Sequence, residues 1–425
     1  MSNDKKIWEK PWGYNEGFIV ASGITIAGLM LQFTLGNIKT ELFANPVNII
    51  LGALFTAGLL FVYLVFKRKS LILWLSGVRA TIPALAIWLT LIVILGLTPQ
   101  LGGQTPESQV PTTILGKLGW HQMTSSWAFV LVSFYVLIIL GLATLRRTQQ
   151  KFSLRDIGFY LNHAGLFIAL LAGMLGSADM ERLTMVVSEG NVEWRANDKT
   201  GNTKELSIAI ELDSFMIEEY PPKLVIIDAN TGKMLPEGRP QSYMFEGVGK
   251  TTTLAGNTIE IIDYLPNAGI VRDSNAVSVM PILMEGAATA IKVRVTSPGQ
   301  ENTVEGWVTN GSYMFPHNLV YLDDGTAVAM PVQEVKKYTS HVTVYTESGR
   351  SKKAEIEVNK PLSVEDWIIY QYSYDERKGK YSDTSVFELV RDPWIKVVYA
   401  GIFMLLAGAL FLFIVGPKRV LGKER

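Results

Sequence analysis

The chain has 425 residues, of which 48% are hydrophobic and 18% are charged, and since soluble domains carry about 25% charged residues this composition indicates a membrane protein. Lys and Arg together number 39, as do Asp and Glu, so the charge balance argues against a nucleic acid partner. The chain has no cysteine, which excludes disulfides, thiolate metal sites and dithiol redox chemistry within it.

Apolar runs long enough to cross a bilayer as helices occur at Phe18–Leu35, Val47–Phe66, Ile82–Leu97, Trp127–Leu145, Ile157–Ser177 and Val397–Gly416. The third run is short unless it extends back through Leu71–Val78, and Arg79 and Pro83 leave its start open. The residues ahead of the first run, MSNDKKIWEKPWGYNEG, are too polar and too many for a cleaved signal peptide. We therefore expect a chain that stays inserted in the membrane.

Basic residues orient these spans. The clusters are Lys5, Lys6 and Lys10; Lys67, Arg68 and Lys69; Arg146, Arg147, Lys151 and Arg155; and Lys418, Arg419, Lys423 and Arg425. With six spans all the clusters fall on one side, which the positive-inside rule makes cytoplasmic. Both termini are then expected in the cytoplasm, and the loops Gly36–Pro46 and Thr98–Ser126 and the long segment Ala178–Lys396 outside.

The segment Ala178–Lys396 contains alternating or β-branched runs such as LSIAIELDSF, NTIEIIDYL and SHVTVYT, separated by turn signals such as DANTG and ESGR. Asn230-Thr231-Gly232 and Ser348-Gly349 predict hairpin tips. The pattern predicts an antiparallel sandwich or barrel of roughly two hundred residues, within the size of a single domain. Tyr370–Tyr381 predicts a strand leading into a charged loop, with aromatic side chains that face either a partner or the sheet core.

The predicted fold is therefore an α-helical bundle of six transmembrane helices with a large extracytoplasmic antiparallel β-domain. We divide it into a two-helix transmembrane extension over residues 1–70, a three-helix transmembrane region over 71–177, the β-domain over 178–392, and a last helix with a cytoplasmic tail over 393–425.

The fifth run, IGFYLNHAGLFIALLAGMLGS, sets Asn162 and His163 into an otherwise nearly apolar helix. An ionisable side chain at that depth is costly and by default marks a ligand or pathway site. At a rise of about 1.5 Å per residue, His163 lies on the order of 9 Å inside the end marked by Arg155 and Asp156. The alternative is a packing histidine bonded to a carbonyl of a neighbouring helix, with Asn162 bonding across that interface.

The positions around this helix separate two surfaces. Small residues gather on one side, where two membrane helices approach closely: Gly165, Ala169, Ala172, Gly173 and Gly176. At about 100° per residue, His163 points roughly 120° away from that side, together with Phe159, Phe167, Leu170 and Met174. Such a surface suits a flat, apolar, metal-bearing ligand.

The other histidines are weaker candidates. His121 is an interfacial residue beside Trp120 or, as the alternative, a ligand at the outer mouth of the fourth span. A bilayer core of about 30 Å separates its level from that of His163, so the two cannot share one iron without gross distortion. His317 reads as a loop residue and His341 as a strand residue, and neither has a partner at metal-ligand spacing.

The end of the chain, VNKPLSVEDWIIYQYSYDERKGKYSDTSVFELVRDPWIKVVYAGIFMLLAG, resembles the end of ResB (also called CcsB) proteins of System II cytochrome c biogenesis. The matching residues are Asn359, Pro361, Leu362, Tyr370, Gln371, Asp392, Pro393, Tyr399 and Gly401. LTLIVILGLTPQ, LGWHQMTSSWAFVLVSFYVLIILGL and LNHAGLFIALLAGMLGS resemble the first three family helices, so the resemblance runs from about Ile82 to the C-terminus.

Two features of the chain depart from the family pattern. The helices Phe18–Leu35 and Val47–Phe66 precede the four-helix plan of the family, and His121 stands where the family often has an acidic residue.

The resemblance implies a subunit of a cytochrome c haem-lyase complex in the bacterial cytoplasmic (inner) membrane. His163 matches the family's intramembrane histidine, which contributes to a haem site near the cytoplasmic side, and we place Asn162, Phe167 and Leu170 around it. The cargo is haem b, bound transiently. One histidine fills one axial position of the iron. The second axial ligand must then come from the partner protein or from His121, although His121 lies at a different depth in the membrane.

The resemblance also implies partners. In the family, ResB works with the membrane protein CcsA to move haem outward and attach it to the CXXCH thiols of apocytochrome c. The tryptophan-rich motif of CcsA is missing here, so this chain is expected to be one part of that machinery and not an enzyme on its own. Without cysteine, it leaves the reduction of the apocytochrome thiols to a separate thioredoxin-like protein. The rival reading is a membrane-anchored scaffold or sensor with an external ligand-binding β-domain. A third possible function is the transport of another solute.

Overall fold

The computed structural model describes residues 7–101, 111–273, 276–299 and 303–415. Within them the α-helices are α1 Tyr14–Leu35, α2 Val47–Phe66, α3 Ser70–Leu75, α4 Val78–Leu97, α5 Ile114–Lys117, α6 Trp127–Arg147, α7 Leu154–Gly176 and α8 Ile395–Val415. Six of these, all but α3 and α5, are long and apolar enough to cross a membrane. The prediction of six spans is confirmed. Lys5, Lys6, Gly416 and the basic residues after it lie outside the described residues.

The third span begins earlier than the apolar run suggests. Gly77 precedes the first residue of α4, and the preceding stretch forms the separate helix α3. Pro83 lies inside α4, where it cannot donate a backbone hydrogen bond to the carbonyl of Arg79. Gly17 of α1 lies against both, since a Cβ at Gly17 would be 2.7 Å from Pro83 and 2.8 Å from the Arg79 oxygen. The absence of a side chain at Gly17 therefore lets α1 pack closely on α4 at the position of its proline.

The helix α1 is joined to the rest of the bundle by polar side chains at its C-terminal end. Gln32 donates to Asn37 at 2.6 Å and accepts from the backbone N–H of Trp127 at 3.2 Å, and Asn37 donates in turn to Gln122. Gln32 and Gln122 are buried. Because buried polar groups cost free energy unless they are bonded, this network fixes α1 to the start of α6.

Seventeen strands follow α7 within the described residues. They are β1 Glu181–Ser188, β2 Val192–Asn197, β3 Thr203–Glu219, β4 Lys223–Asp228, β5 Ser242–Met244, β6 Thr251–Leu254, β7 Asn257–Asp273, β8 Ala276–Pro281, β9 Ala288–Thr296, β10 Thr303–Thr309, β11 Val320–Tyr321, β12 Thr326–Ala329, β13 Val335–Thr346, β14 Ser351–Glu357, β15 Leu362–Val364, β16 Trp367–Tyr374 and β17 Thr384–Arg391. Chain contacts divide the protein into two compact units: residues 1–182, 198–202 and 390–425, and residues 183–197 and 203–389.

The largest sheet has eight strands in the order β14-β13-β3-β2-β1-β17-β16-β15. Its two ends meet at an isolated bridge between Glu357 and Lys360, so the sheet is nearly a closed barrel. Two smaller antiparallel sheets have the orders β10-β9-β7-β6, with β8 on β7, and β11-β12-β4-β5. The antiparallel, barrel-like prediction is confirmed. The predicted hairpin tips are also present, at Gly232 with φ 71° and Gly349 with φ 76°.

The larger sheet encloses an apolar core that includes Met185, Ile210 and Phe387, and a separate core fills the space between the smaller sheets. A buried polar chain joins three strands of the barrel. Ser340 on β13 donates to Gln371 on β16 at 2.5 Å, and Gln371 donates to Ser385 on β17 at 2.7 Å. The glutamine that matches the family pattern therefore has a structural contact in the barrel interior.

The segment Tyr370–Tyr381 forms the second half of β16 and the loop after it, as predicted. Tyr374 packs on Phe215 and Tyr338, with ring centroids 5.7 and 5.3 Å apart, and so belongs to the core. Tyr372 is 61% exposed. The aromatic residues of this strand are therefore divided between the core and the surface.

Candidate functional site

The site is built on α7, which begins with a capping box formed by Ser153 and Asp156. Asp156 also accepts both Nε and a terminal nitrogen of Arg147, at 2.9 and 2.6 Å. The Arg147 guanidinium lies 5.6 Å from the ring centroid of Phe159, and Phe159 stacks on His163 with centroids 3.8 Å apart. Contacts that start at the α6–α7 connection therefore continue up to the imidazole. We call this end of the bundle the loop end, and the end where α7 leads into β1 the strand end.

The imidazole of His163 is held by its own helix. Nδ1 lies 3.0 Å from the carbonyl oxygen of Phe159. Because a carbonyl only accepts, Nδ1 carries the proton and Nε2 carries the lone pair, which is the form that ligates metals. Nε2 makes no hydrogen bond with the described residues, and the side chain is half-buried. The packing alternative expected a carbonyl from a neighbouring helix, whereas the bond is to the same helix.

The opposite side of α7 contacts α8 at backbone distance. A Cβ at Gly401 of α8 would lie 2.6 Å from the Gly165 oxygen and 2.7 Å from the Ala169 nitrogen. Gly176 lies against Trp394 just before α8, whereas Gly173 has no neighbour within 4 Å that a Cβ would meet. Gly165, Ala169 and Gly176 of the predicted small-residue stripe thus lie against α8 or the residue before it, whereas Gly173 does not and Ala172 lines a cavity.

Asn162 belongs to this contact and not to the surface of His163. Its amide lies against Gly408 of α8, where a Cβ would be 2.9 Å away, and its Nδ2 donates to the Gly158 carbonyl at 3.0 Å. The structure therefore places Asn162 and His163 on different sides of α7, about 100° apart as expected for consecutive helical residues.

A cavity of about 690 Å³ lies between α2, α6, α7 and the start of α8. On α7 its wall includes Ala164, which follows His163, and Phe167, one turn on, and it continues to Leu175. Leu175 comes eleven residues after Ala164, which corresponds to about 16 Å along the helix. Leu170 is on the predicted side but does not line the cavity. Of the predicted site residues, Phe167 therefore belongs to the cavity wall, whereas His163, like Leu170, is not among the residues that line it.

The polar groups in the cavity wall bond elsewhere. Thr56 donates to the Gly52 carbonyl at 2.8 Å and Thr144 to the Leu140 carbonyl at 2.7 Å, each within its own helix. Trp394 donates its Nε1 hydrogen to Asp179 at 2.6 Å. Since these donors are already used, the wall offers apolar surface to an occupant, and charged substituents of that occupant would have to lie beyond it.

Asp179, at the strand end of the cavity, joins three parts of the bundle. Its carboxylate accepts from the backbone N–H of Asn45 at 2.7 Å, from Nδ2 of Asn48 at 2.8 Å and from Trp394. Burial raises the pKa of the Asp179 carboxyl, and the bonds from Asn48, Trp394 and Asn45 lower it by more, so the pKa lies below its usual value. The sequence reasoning missed this residue, since a carboxylate just after a span carries no distinctive pattern.

His121 lies elsewhere in the bundle. Its Nδ1 is 3.0 Å from the carbonyl oxygen of Pro99, in the short helical turn that precedes α6. From there α6 rises about 30 Å to Arg147, and His163 lies about 10 Å back from Asp156, so the two histidines are about 20 Å apart along the bundle. The structure does not bring them together.

The remaining candidates are structural neighbours in the β-strands and turns. His341 lies 3.6 Å from Glu355 on the adjacent strand, and His317 lies in the loop before β11, where its backbone carbonyl accepts from Arg272 at 3.3 Å. Among the described residues no group of three or more His, Asp or Glu side chains is arranged to hold a metal ion. A metal at His163 would therefore have to bring its remaining ligands with it.

Six apolar helices and a large antiparallel β-domain define a multi-pass membrane protein. Residues 294–386 match the model of the ResB-like family, which confirms the resemblance read from the sequence over that segment. The matched segment runs from within β9 to within β17 and contains Tyr370 and Gln371 but not α7. A search of curated proteins finds no match.

Proposed function

We propose that the chain is the ResB-type subunit of a System II cytochrome c synthetase complex in the bacterial cytoplasmic membrane. It helps to export haem b and, with a CcsA-type membrane protein, delivers it to the CXXCH thiols of apocytochrome c. The observation that carries this proposal is the imidazole of His163, whose Nε2 lone pair is left available on α7, the helix that also supplies Phe167 to the wall of an apolar cavity. In this arrangement the loop end faces the cytoplasm and the β-domain lies outside, as the basic residues Lys67, Arg68 and Lys69 after α2 favour.

The residues around the cavity fit a porphyrin in part. Phe167 and the neighbouring aliphatic side chains of the wall could accept the apolar body of the macrocycle, and His163, which lies on the same helix but does not line the cavity, could supply one axial ligand. The propionates find no available donor in the wall, so they would extend beyond the cavity toward the basic loop end. The second axial ligand comes from the partner, since His121 is about 20 Å away along the bundle.

The chain's own contribution is to bind and position haem. The thioether bonds form between the haem vinyl groups and the substrate thiols, so correct placement and access are the main requirements. Reduction of those thiols requires a separate thioredoxin-like protein because this chain has no cysteine. The β-domain is the part available to hold the apocytochrome or the partner.

The test is the absorbance of the full chain, purified in mild detergent after co-expression with its CcsA-type partner. We expect a haem Soret band that falls at least fivefold in His163→Ala and returns in part when imidazole is added. The matched control is His121→Ala, which should keep the band. An unchanged band in His163→Ala, with normal cytochrome maturation, would contradict the proposal and favour the membrane-anchored scaffold or sensor.

A further inference from the structure

The β-domain carries a two-stranded arm. The pairing of β7 with β9 ends at Ala268, and from Ala268 to Asp273 β7 pairs with β8. One face of the arm is anchored. Ile270 is buried, and Arg272 donates to the His317 carbonyl and to Asn318, both at 3.3 Å. The other face carries Val271, which is exposed. The arm therefore has one face packed on the domain and one face that is exposed.

The outer edge of β8 has the hydrogen-bonding chemistry of an exposed strand. Among the described residues β8 pairs only with β7, so alternate backbone N–H and C=O groups of Ala276–Pro281 have no strand partner on the other side. Its sequence, AVSVMP, contains no charged residue. Proteins commonly block such edges with charges or with proline, and this edge has no charge and carries its one proline, Pro281, at the last position of the strand.

The strand β14, at one end of the barrel sheet, differs from β8 because it carries charged side chains. β14 has the sequence SKKAEIE, with Lys352, Lys353 and Glu355 along a strand that continues only to an isolated bridge. Charges of that kind discourage a further strand from pairing. The same domain therefore protects one terminal strand and leaves β8 open to pairing.

An exposed apolar surface lies next to this edge. We call it the arm patch and define it as Val271, Met280, Leu283, Met284 and Met314, which are 53%, 48%, 100%, 47% and 50% exposed. Met280 pairs across from Gly269, two residues from Val271 and on the same face.

The loop that carries Met314 is joined to the loop that carries Leu283 and Met284. Ser312 donates to the Gly286 carbonyl at 2.5 Å, and a Cβ at Gly286 would meet the Met314 side chain. The arm patch is therefore continuous from the β8 edge to these loops. Flexible methionines are typical of surfaces that accept varied apolar side chains, and a patch of this kind on a protein surface indicates an interaction site.

We infer that the arm patch and the β8 edge bind an extended polypeptide, which adds as a strand to β8 and places its apolar side chains against the methionines. An unpaired strand edge is complementary to an extended backbone, which an unfolded chain supplies. The natural occupant would be the unfolded apocytochrome c chain ahead of haem attachment, and in this respect the inference rests on the proposed function.

The experiment measures binding of a fluorescent, haem-free cytochrome c polypeptide with blocked thiols to the full chain in lipid nanodiscs. Ser278→Lys places a charge beside the β8 edge as in β14, and Leu283→Lys places one in the arm patch. We expect each to raise Kd at least tenfold. The matched control is Met216→Lys, at a methionine that is 54% exposed on β3, outside the arm patch, where β3 pairs with β13. It should leave Kd unchanged.

Unchanged binding in both lysine variants, or no binding to the wild-type chain, would overturn the inference. The inference would also be overturned if the arm bound protein-free lipid vesicles and not the polypeptide. Quenching of a label attached at Ser278→Cys measures that binding. The Soret band of the same samples separates the two proposals. Polypeptide binding that depends on the arm in a chain without a haem band would contradict the proposed function alone, whereas a normal band with binding independent of the arm would contradict this inference alone.

Discussion

The helices α8 and α2 both contact α7, and they do so in opposite ways. α8 reaches it through glycines, with backbone atoms of Gly165 and Gly401 in direct contact. α2 lies beside the cavity that it forms with α6 and α7, and it contacts them through side chains such as Leu59, which fills the space above Gly141.

This difference separates two tasks within one bundle. Close packing of interlocking backbones has few alternative arrangements, so the α8 side fixes the position of α7 and with it His163. Side-chain contacts around a cavity leave room, so the α2 side provides space for an occupant. α2 is one of the two helices that precede the family's four-helix plan, and its contribution here is a cavity wall.

The largest effect is expected from Gly401→Leu. A Cβ at this position would already be 2.6 Å from the Gly165 oxygen, so the larger side chain must push α8 away from α7. Overpacking of a tight contact costs up to about 3 kcal/mol and can exceed this where backbone has to move. Thermal unfolding of the detergent-solubilised protein, followed by circular dichroism, measures the loss.

Gly58→Leu on α2 is the control for that experiment. Gly58 also lies in a spanning helix, but a Cβ there would meet nothing within 4 Å. We expect a change in stability within about 0.5 kcal/mol. Equal losses in the two variants would remove the distinction between the two sides of α7.

A smaller effect is expected from Asp179→Asn, which weakens the attachment of the α2 start and of Trp394. Hydrogen bonds to a charged group contribute about 1.5 to 3 kcal/mol, so we expect a loss of about 2 kcal/mol at neutral pH. Asp323→Asn is the control, because that carboxylate lies exposed in a turn. The same thermal unfolding assay compares them.

The loss should depend on pH in a defined direction. The folded-state pKa of Asp179 lies below the unfolded value of about 3.9. Its stabilising contribution is therefore fully present above that value and disappears as the pH falls through the lowered folded pKa. The difference between wild type and Asp179→Asn should shrink in acid, and a difference that stays constant from pH 7 to the acid limit of folding would contradict the assigned role.

Much of this fold could be predicted from the sequence because its signals are local. Apolar length predicted the spans, alternation predicted strands such as β3 and β13, and the spacing of Gly165 and Ala169 predicted a helix contact. These patterns report how one segment meets its surroundings and do not identify the partner. That α8 is the partner of this stripe follows from Gly401, more than two hundred residues away in the chain.

The site was harder to predict for the same reason. His163 could be recognised by its cost in lipid, whereas Asn162 was grouped with it as a sequence neighbour although its partner is Gly408 on the other side of α7. Asp179 gave no signal because its partners Asn48 and Trp394 come from distant segments. Single-sequence patterns find isolated anomalies and miss contacts that only the assembled bundle creates.

The smallest effect is expected from Thr56→Val, which changes the cavity wall without changing its shape. The Thr56 hydroxyl donates to its own helix, so its loss should alter stability by less than about 0.5 kcal/mol and leave the haem Soret band intact. Thr90→Val is the control, because Thr90 makes the same bond to Ala86 on α4 and does not line the cavity. A band lost in Thr56→Val but kept in Thr90→Val would show that the occupant bonds to the wall. In that case α2 would bind the occupant of the cavity through a polar contact. It would then differ from α8 both in leaving space beside α7 and in contacting the occupant specifically.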